Sequence, residues 1–138
     1  MSINFWAILL SAVMALVLGF LWFGPIFGKM WMHATGATAM DKEARMKMQK
    51  ASGPLYVIQF LLTMLQVYIL AYYIVGMSSV SAFSHAFMIW LGFVMPVEAG
   101  MAMWNNDSAK VKWTKFLLQA GYQLLVFIVF AFIIGMWK

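Results

Sequence analysis

The sequence contains no cysteine and very few charged residues. The absence of cysteine excludes disulfides, thiol catalysis and cysteine-ligated zinc or iron–sulfur centres. Charged residues make up only 9% of the 138 positions, whereas a typical soluble domain has about 25%. Because 65% of the residues are hydrophobic, a soluble chain of this size could not hide its apolar surface from water. The composition therefore excludes an ordinary soluble domain and a disordered chain, and it indicates a small integral membrane protein.

Four long apolar segments can each cross a bilayer, which requires roughly 20 apolar residues in a helix. They predict helices at about residues 3–24, 54–77, 82–104 and 114–137, within one transmembrane domain over residues 1–138. The first segment has no basic residue before it and is longer than the apolar core of a signal peptide, so we interpret it as a retained helix. The predicted fold class is all-α, an integral membrane four-helix bundle.

Basic residues are concentrated in two of the three connections between these helices. Eight of the nine lie in the first and third connections, and only Lys138 lies elsewhere. Because basic loops tend to remain in the cytoplasm, we expect a cell (inner) membrane protein with both termini outside the cytoplasm. Since the basic residues are divided between two loops next to the membrane, we expect contact with membrane lipid and no nucleic-acid binding. Nothing in the sequence identifies a soluble partner.

The first connection predicts a short amphipathic helix. Thr38 is the expected N-cap, with Asp41 three residues later in the position of a capping box. Asp41 and Arg45, and likewise Glu43 and Lys47, are spaced for ion pairs across one helical turn. This helix either lies on the inner membrane surface or is a solvated connector.

The two halves of the chain resemble each other. Helices two and four both contain Phe-Leu-Leu, then a glutamine, and end in Ile-Val-Gly-Met or Ile-Ile-Gly-Met. Helices one and three share the order Trp, Pro, Gly, Trp toward the cytoplasmic side. The pattern is typical of a parallel 2+2 internal repeat, as in some transporters, although apolar sequences also match by chance.

Three motifs resemble those of a bacterial membrane family. They are FGPIFGKMWM at 23–32, WLGF at 90–93 and FLLQAGY at 116–122, and the resemblance extends in order over nearly the whole chain. The sequence is similar to the family catalogued as domain of unknown function 1761. That resemblance implies a four-helix membrane protein without an assigned activity, and it contributes no catalytic residues. Family members often carry histidine after the Ala-Gly-Tyr, where this chain has Gln123.

Glu98 is the only acidic residue within a predicted span. A carboxyl group in lipid is costly, so such residues usually face a bundle interior or a wet cavity. One interpretation is a carboxylate that binds protons or cations, and the other is an interfacial acid paired with Lys110 or Lys112. Pro96, two residues earlier, can kink the helix and free the carbonyl of Gly92.

Polar side chains follow one face of the second helix and recur on the fourth. In lipid they need partners, so they either hydrogen-bond between helices or line a polar path for a small solute. His85 lies near the outer end of the third helix and His33 lies in the opposite loop, so we expect no metal site. The candidate binding residues are Glu98, Gln59, Thr63, Gln66, Gln119, Gln123 and His85.

Small residues at four-residue spacing form two stripes that allow close helix packing. Such packing occurs either inside the protomer or between copies, and we expect a homo-oligomer. The helix-packing candidates are Ala7, Ser11, Ala15 and Gly19 on the first helix, and Gly92, Pro96 and Gly100 on the third.

Nothing in the sequence resembles a nucleotide-binding loop, a catalytic triad or a carboxylate pair, so we expect no catalytic residues, no cofactor and no enzyme activity. One remaining hypothesis is a transporter- or channel-like oligomer with a polar site near Glu98, which predicts a water-accessible cavity reaching that residue. The alternative is a non-catalytic scaffold or binding protein that engages partners or lipid through its basic cytoplasmic loops, which predicts a dry bundle. An enzyme acting on lipid would need a lateral opening beside Glu98 or His85.

Overall fold

The protein folds as a bundle of membrane-spanning helices. The structure is a computed structural model that describes residues 3–36 and 41–137. Four segments are long and apolar enough to cross a membrane, namely Phe5–Ile26, Gly53–Gly76, Ala82–Met103 and Ala109–Trp137. The predicted all-α membrane bundle is therefore confirmed.

Seven α-helices make up the described part of the chain. They are α1 (Phe5–Leu21), α2 (Gly28–Thr35), α3 (Lys42–Ala51), α4 (Gly53–Gly76), α5 (Ala82–Ile89), α6 (Met95–Met103) and α7 (Ala109–Trp137). The last helix begins five residues before the predicted position 114. Its first turns carry lysines, which can continue the helix into the interface because their long side chains reach water.

Two spans contain a π-helical turn next to a proline. The first is Trp22–Ile26, with Pro25 inside it, and the second is Trp90–Val94, directly before α6 with its Pro96. Proline has no backbone N–H and cannot complete a regular α-helical turn. A π turn absorbs this defect, because its N–H groups bond to carbonyls five residues back rather than four.

Each π turn presents a tryptophan to α7. The indole Nε1 of Trp22 donates to the Leu118 carbonyl at 2.9 Å, and that of Trp90 donates to the Ala120 carbonyl at 3.0 Å. Gly121 makes room for the first ring, because a Cβ atom there would lie 3.2 Å from Trp22. The two tryptophans, one from the first span and one from the third, together hold α7 in place.

The bundle is closed at one end and open at the other. At the end that carries the 77–81 turn, Val67, Leu70, Ile74 and Phe130 are almost fully buried in one apolar core. Helix α4 packs against α1, α5 and α7, whereas α6 packs against α7. The second and third spans therefore separate toward the opposite end, here called the basic end because it carries the lysines of the first and third connections.

Helix α3 is the amphipathic helix expected in the first connection, but it begins later than predicted. Asp41 is the N-cap, and its Oδ1 accepts from the backbone N–H three residues later at 2.7 Å. Thr38, the predicted cap, lies outside the described residues. The predicted ion pairs of Asp41 with Arg45 and of Glu43 with Lys47 are wrong, since neither is found in residues 41–137. The Asp41 carboxylate is engaged in capping instead.

Candidate functional site

A cavity of about 720 Å³ lies at the basic end, where the spans separate. Helices α1, α2, α3, α4 and α7 form its walls, and α6 contributes Glu98. Along α4 the lining runs from Ser52 to Gln66, which is about 21 Å at 1.5 Å per residue. Val126 and Phe130 line its inner end, and the apolar core closes the bundle beyond them. The cavity therefore reaches deep into the bundle from one side.

Six of the seven binding candidates line this cavity. They come from three different spans, which the fold brings together, and they are Gln59, Thr63, Gln66, Gln119, Gln123 and Glu98.

These polar side chains do not join the helices to one another. Among the described residues their hydrogen bonds stay within α4, where the Gln59 Nε2 donates to the Thr63 hydroxyl at 3.3 Å and that hydroxyl donates to the Gln59 carbonyl at 2.8 Å. The Gln123 Oε1 is buried and has no partner within residues 3–36 and 41–137. Within the same residues, the amide groups of Gln66 and Gln119 line the cavity without a hydrogen-bond partner and are available to a bound molecule.

Glu98 faces the cavity from the first turns of α6. The expected ion pair of Glu98 with Lys110 or Lys112 is absent from the described residues. The Lys112 Nζ donates to the Met103 carbonyl at 3.0 Å, and Lys115 pairs with Asp107 at 2.8 Å. The carboxyl group of Glu98 is thus left facing the cavity rather than neutralised at the interface.

Arg45 lines the mouth of the cavity, a role that sequence reasoning missed. Its spacing from Asp41 suggested a pair within the helix. Asp41 caps α3 instead, and Arg45 lies in the cavity lining where α3 packs against α4. Among residues 3–36 and 41–137, Arg45 is the only basic residue in the lining and Glu98 the only acidic one.

Aromatic rings form much of the remaining wall. Phe23 packs against Trp31 and Tyr122 with ring centroids 4.7 and 5.3 Å apart, and Phe20 packs against Tyr56 at 5.9 Å. All five rings line the cavity. Sequence analysis missed this wall because it depends on the bend between α1 and α2, which the π turn at Trp22–Ile26 introduces.

His85, the seventh binding candidate, lies away from the cavity. It is buried near the closed end, and its Nε2 donates to the Met77 carbonyl at 3.0 Å. It therefore holds the end of α4 against the start of α5. Its prediction as a binding residue is not supported by this placement.

The two stripes of small residues lie in different surroundings. Ala7, Ser11 and Ala15 are buried inside the protomer, and a Cβ at Gly19 would lie 3.1 Å from the Tyr122 hydroxyl. On the third span, in contrast, Gly92 and Pro96 are exposed, and a Cβ at Gly92 or Gly100 would meet nothing within 4 Å. The second stripe therefore does not pack within the protomer.

The chain belongs to the family DUF1761, described as a protein of unknown function, which it matches over residues 6–135. The expected family is thereby confirmed. No curated protein and no solved structure matches the chain.

Proposed function

We propose that this DUF1761 protein is a non-catalytic, transporter-like membrane protein that binds a small polar solute in the cavity at its basic end. The observation that carries the proposal is that six polar residues from three spans line one cavity of about 720 Å³. Binding pockets for small molecules usually measure about 300–1,000 Å³ and combine apolar walls with a few polar groups. The alternative of a dry scaffold bundle predicts no such cavity.

The cavity has the form of one state of an alternating-access cycle. It is open at the basic end, and the core around Phe130 and Ile74 closes the other end. Transport would require that core to open while the basic end closes. The π turns at Trp22–Ile26 and Trp90–Val94 lie where the first and third spans would bend during such a change. Turns of this kind often occur at functional sites.

The proposal also places the protein in the cell (inner) membrane, with the basic end in the cytoplasm and both termini outside. It includes a homo-oligomer, and Gly92, Pro96 and Gly100 form the small-residue stripe that the protomer leaves free. The solute would then enter from, or leave to, the cytoplasm.

A scaffold function is the second candidate, and α3 favours it. Lys42, Lys47 and Lys50 are exposed beside the exposed apolar side chains of Met46 and Met48. This combination of exposed basic and apolar side chains suits an anionic lipid surface. Replacing the three lysines with glutamine should weaken binding to phosphatidylglycerol without changing solute binding if both functions coexist.

Solute binding can be tested with four small molecules that share the phenylalanine skeleton and differ in charge. Phenylalanine is a zwitterion, phenylalaninamide a cation, N-acetylphenylalanine an anion and N-acetylphenylalaninamide neutral, and each fits the cavity volume. We expect saturable binding of at least one in nanodiscs, and saturable uptake of that probe into proteoliposomes. Absence of saturable binding of all four would contradict the proposal.

A matched pair of threonines controls for stability. The hydroxyl of Thr63, in the cavity, donates to the Gln59 carbonyl at 2.8 Å, and that of Thr114, outside it, donates to the Lys110 carbonyl at 2.7 Å. Both Thr63→Val and Thr114→Val remove such a bond to a backbone carbonyl, and Thr63→Val also removes the acceptor of the Gln59 Nε2. Only Thr63→Val should weaken binding, and equal effects of the two variants would contradict a site in the cavity.

A further inference from the structure

We infer that the solute is a zwitterion, whose cationic group meets Glu98 and whose anionic group meets Arg45. This inference rests on the proposed function and names the substrate class of the same cavity. It starts from the two opposite charges in the lining, one carried by α6 and the other by α3.

Neither charge has an ionic partner in the described part of the chain. The ion pair found there joins Lys115 to Asp107, so Glu98 and Arg45 pair neither with each other nor with a neighbouring side chain. Charged groups that are partly removed from water are costly unless they are paired. A molecule that carries both an ammonium group and an anionic group would neutralise the two at once.

Molecules with a single charge fit the lining less well. A cation at Glu98 would leave the like charge of Arg45 at the mouth of the same cavity, and an anion at Arg45 would leave Glu98 unpaired. Like charges facing each other and buried unpaired groups both oppose binding. The lining therefore selects for the presence of both charges, rather than for either one.

The remaining wall suits the body of such a molecule. The rings of Phe23, Trp31 and Tyr122 offer apolar contact and can also attract an ammonium group through their faces. The side chain of Gln66 adds an amide group to the lining. Free amino-acid-like solutes and zwitterionic lipid headgroups share this chemistry.

The test measures how two charge-removing variants change the preference among the four phenylalanine probes. Wild-type protein should bind phenylalanine more tightly than phenylalaninamide or N-acetylphenylalanine by about tenfold or more. Arg45→Gln should abolish the preference over the cation, and Glu98→Gln should abolish the preference over the anion. Each variant should still bind one singly charged probe, which shows that it remains folded.

Matched controls lie on the same helix as Arg45. Glu43→Gln and Lys47→Gln remove the same charges from exposed positions outside the cavity lining, and they should leave all four affinities unchanged. If the wild type binds phenylalaninamide or N-acetylphenylalanine as tightly as phenylalanine, or if the controls act like the cavity variants, the inference is wrong. The proposed function would survive that result if at least one probe binds saturably and Thr63→Val weakens its binding more than Thr114→Val does.

The lipid composition of the nanodisc identifies the source of the zwitterion. Phenylalanine affinity should be equal in phosphatidylglycerol alone and with phosphatidylethanolamine added if the solute is a free molecule. A loss of affinity when phosphatidylethanolamine is present would assign the site to a zwitterionic headgroup. If the wild type binds no probe better than the neutral N-acetylphenylalaninamide, neither source is supported and the charge-based inference is overturned.

Discussion

The Tyr122 hydroxyl donates to the backbone carbonyl of Ala15 at 2.6 Å and joins α7 to α1 at the wall of the cavity. Gly19, one turn further along α1, leaves room for the tyrosine ring tip. At Ala15 and Gly19, the small residues allow α7 to approach closely enough for the bond to form. This part of the first stripe is thus occupied within the protomer.

A pair of glycine variants tests this use of the first stripe. Replacing a helical glycine with alanine stabilises a helix by up to about 1 kcal/mol. Gly100→Ala should show this gain in thermal unfolding, because a Cβ there meets nothing within 4 Å. Gly19→Ala should show no such gain, because its Cβ would lie 3.1 Å from the Tyr122 hydroxyl. An equal gain in stability in both variants would show that Tyr122 does not pack closely against Gly19.

The tryptophan contacts to α7 should each contribute measurably to stability. Trp22→Phe and Trp90→Phe retain an aromatic ring but lose the indole N–H, so each should lower the free energy of unfolding by about 0.5–1.5 kcal/mol. Trp104→Phe is the control, since Trp104 is 88% exposed. Chemical denaturation in mild detergent gives the comparison. Stability losses no larger than that of the control would refute the role of the two indole bonds.

His85 should matter for stability and not for solute binding. His85→Leu removes the donor to the Met77 carbonyl, which also accepts from the Val80 N–H, so we expect a loss of about 0.5–1.5 kcal/mol. His33→Leu, at an exposed position of α2, should have no such effect. Phenylalanine affinity should be unchanged in both variants. A selective loss of affinity in His85→Leu would restore His85 as a binding residue.

Membrane orientation can be measured by cysteine labelling, since the chain has no native cysteine. Ser79→Cys, in the exposed turn between α4 and α5, should react with an impermeant reagent from outside the cell. Asn106→Cys, in the exposed connection between α6 and α7, should react only after the membrane is opened. The reverse pattern would invert the proposed topology.

Much of the fold follows from the sequence because hydropathy and helix-breaking residues act locally. The four spans are visible as apolar segments, and Pro25 and Pro96 indicate where regular helix must fail. The start of α3 was harder to predict, because Thr38 and Asp41 are both good caps and only one can begin a given helix. The choice of Asp41 also removed the ion pair that its spacing suggested.

The cavity itself could be predicted only in part. Spacing places Gln59, Thr63 and Gln66 on one face of α4, and the cost of polar groups in lipid makes an interior position reasonable. Spacing within one helix does not show whether such a face meets another helix or a space. The separation of α4 from α6, and with it the joining of Glu98 to Arg45 in one lining, depends on long-range packing.

Cysteine accessibility at Gln123 tests most directly whether a polar cavity opens at the basic end and is closed at the other. Gln123→Cys lies in the cavity wall, and Ile74→Cys, at a position with 0% exposure, lies in the core that closes the bundle. In reconstituted vesicles of known orientation, we expect an impermeant thiosulfonate reagent to modify Gln123→Cys from the basic side only and to leave Ile74→Cys unmodified from either side. Failure of Gln123→Cys to react from the basic side, or faster reaction from the opposite side, would contradict the existence of this cavity.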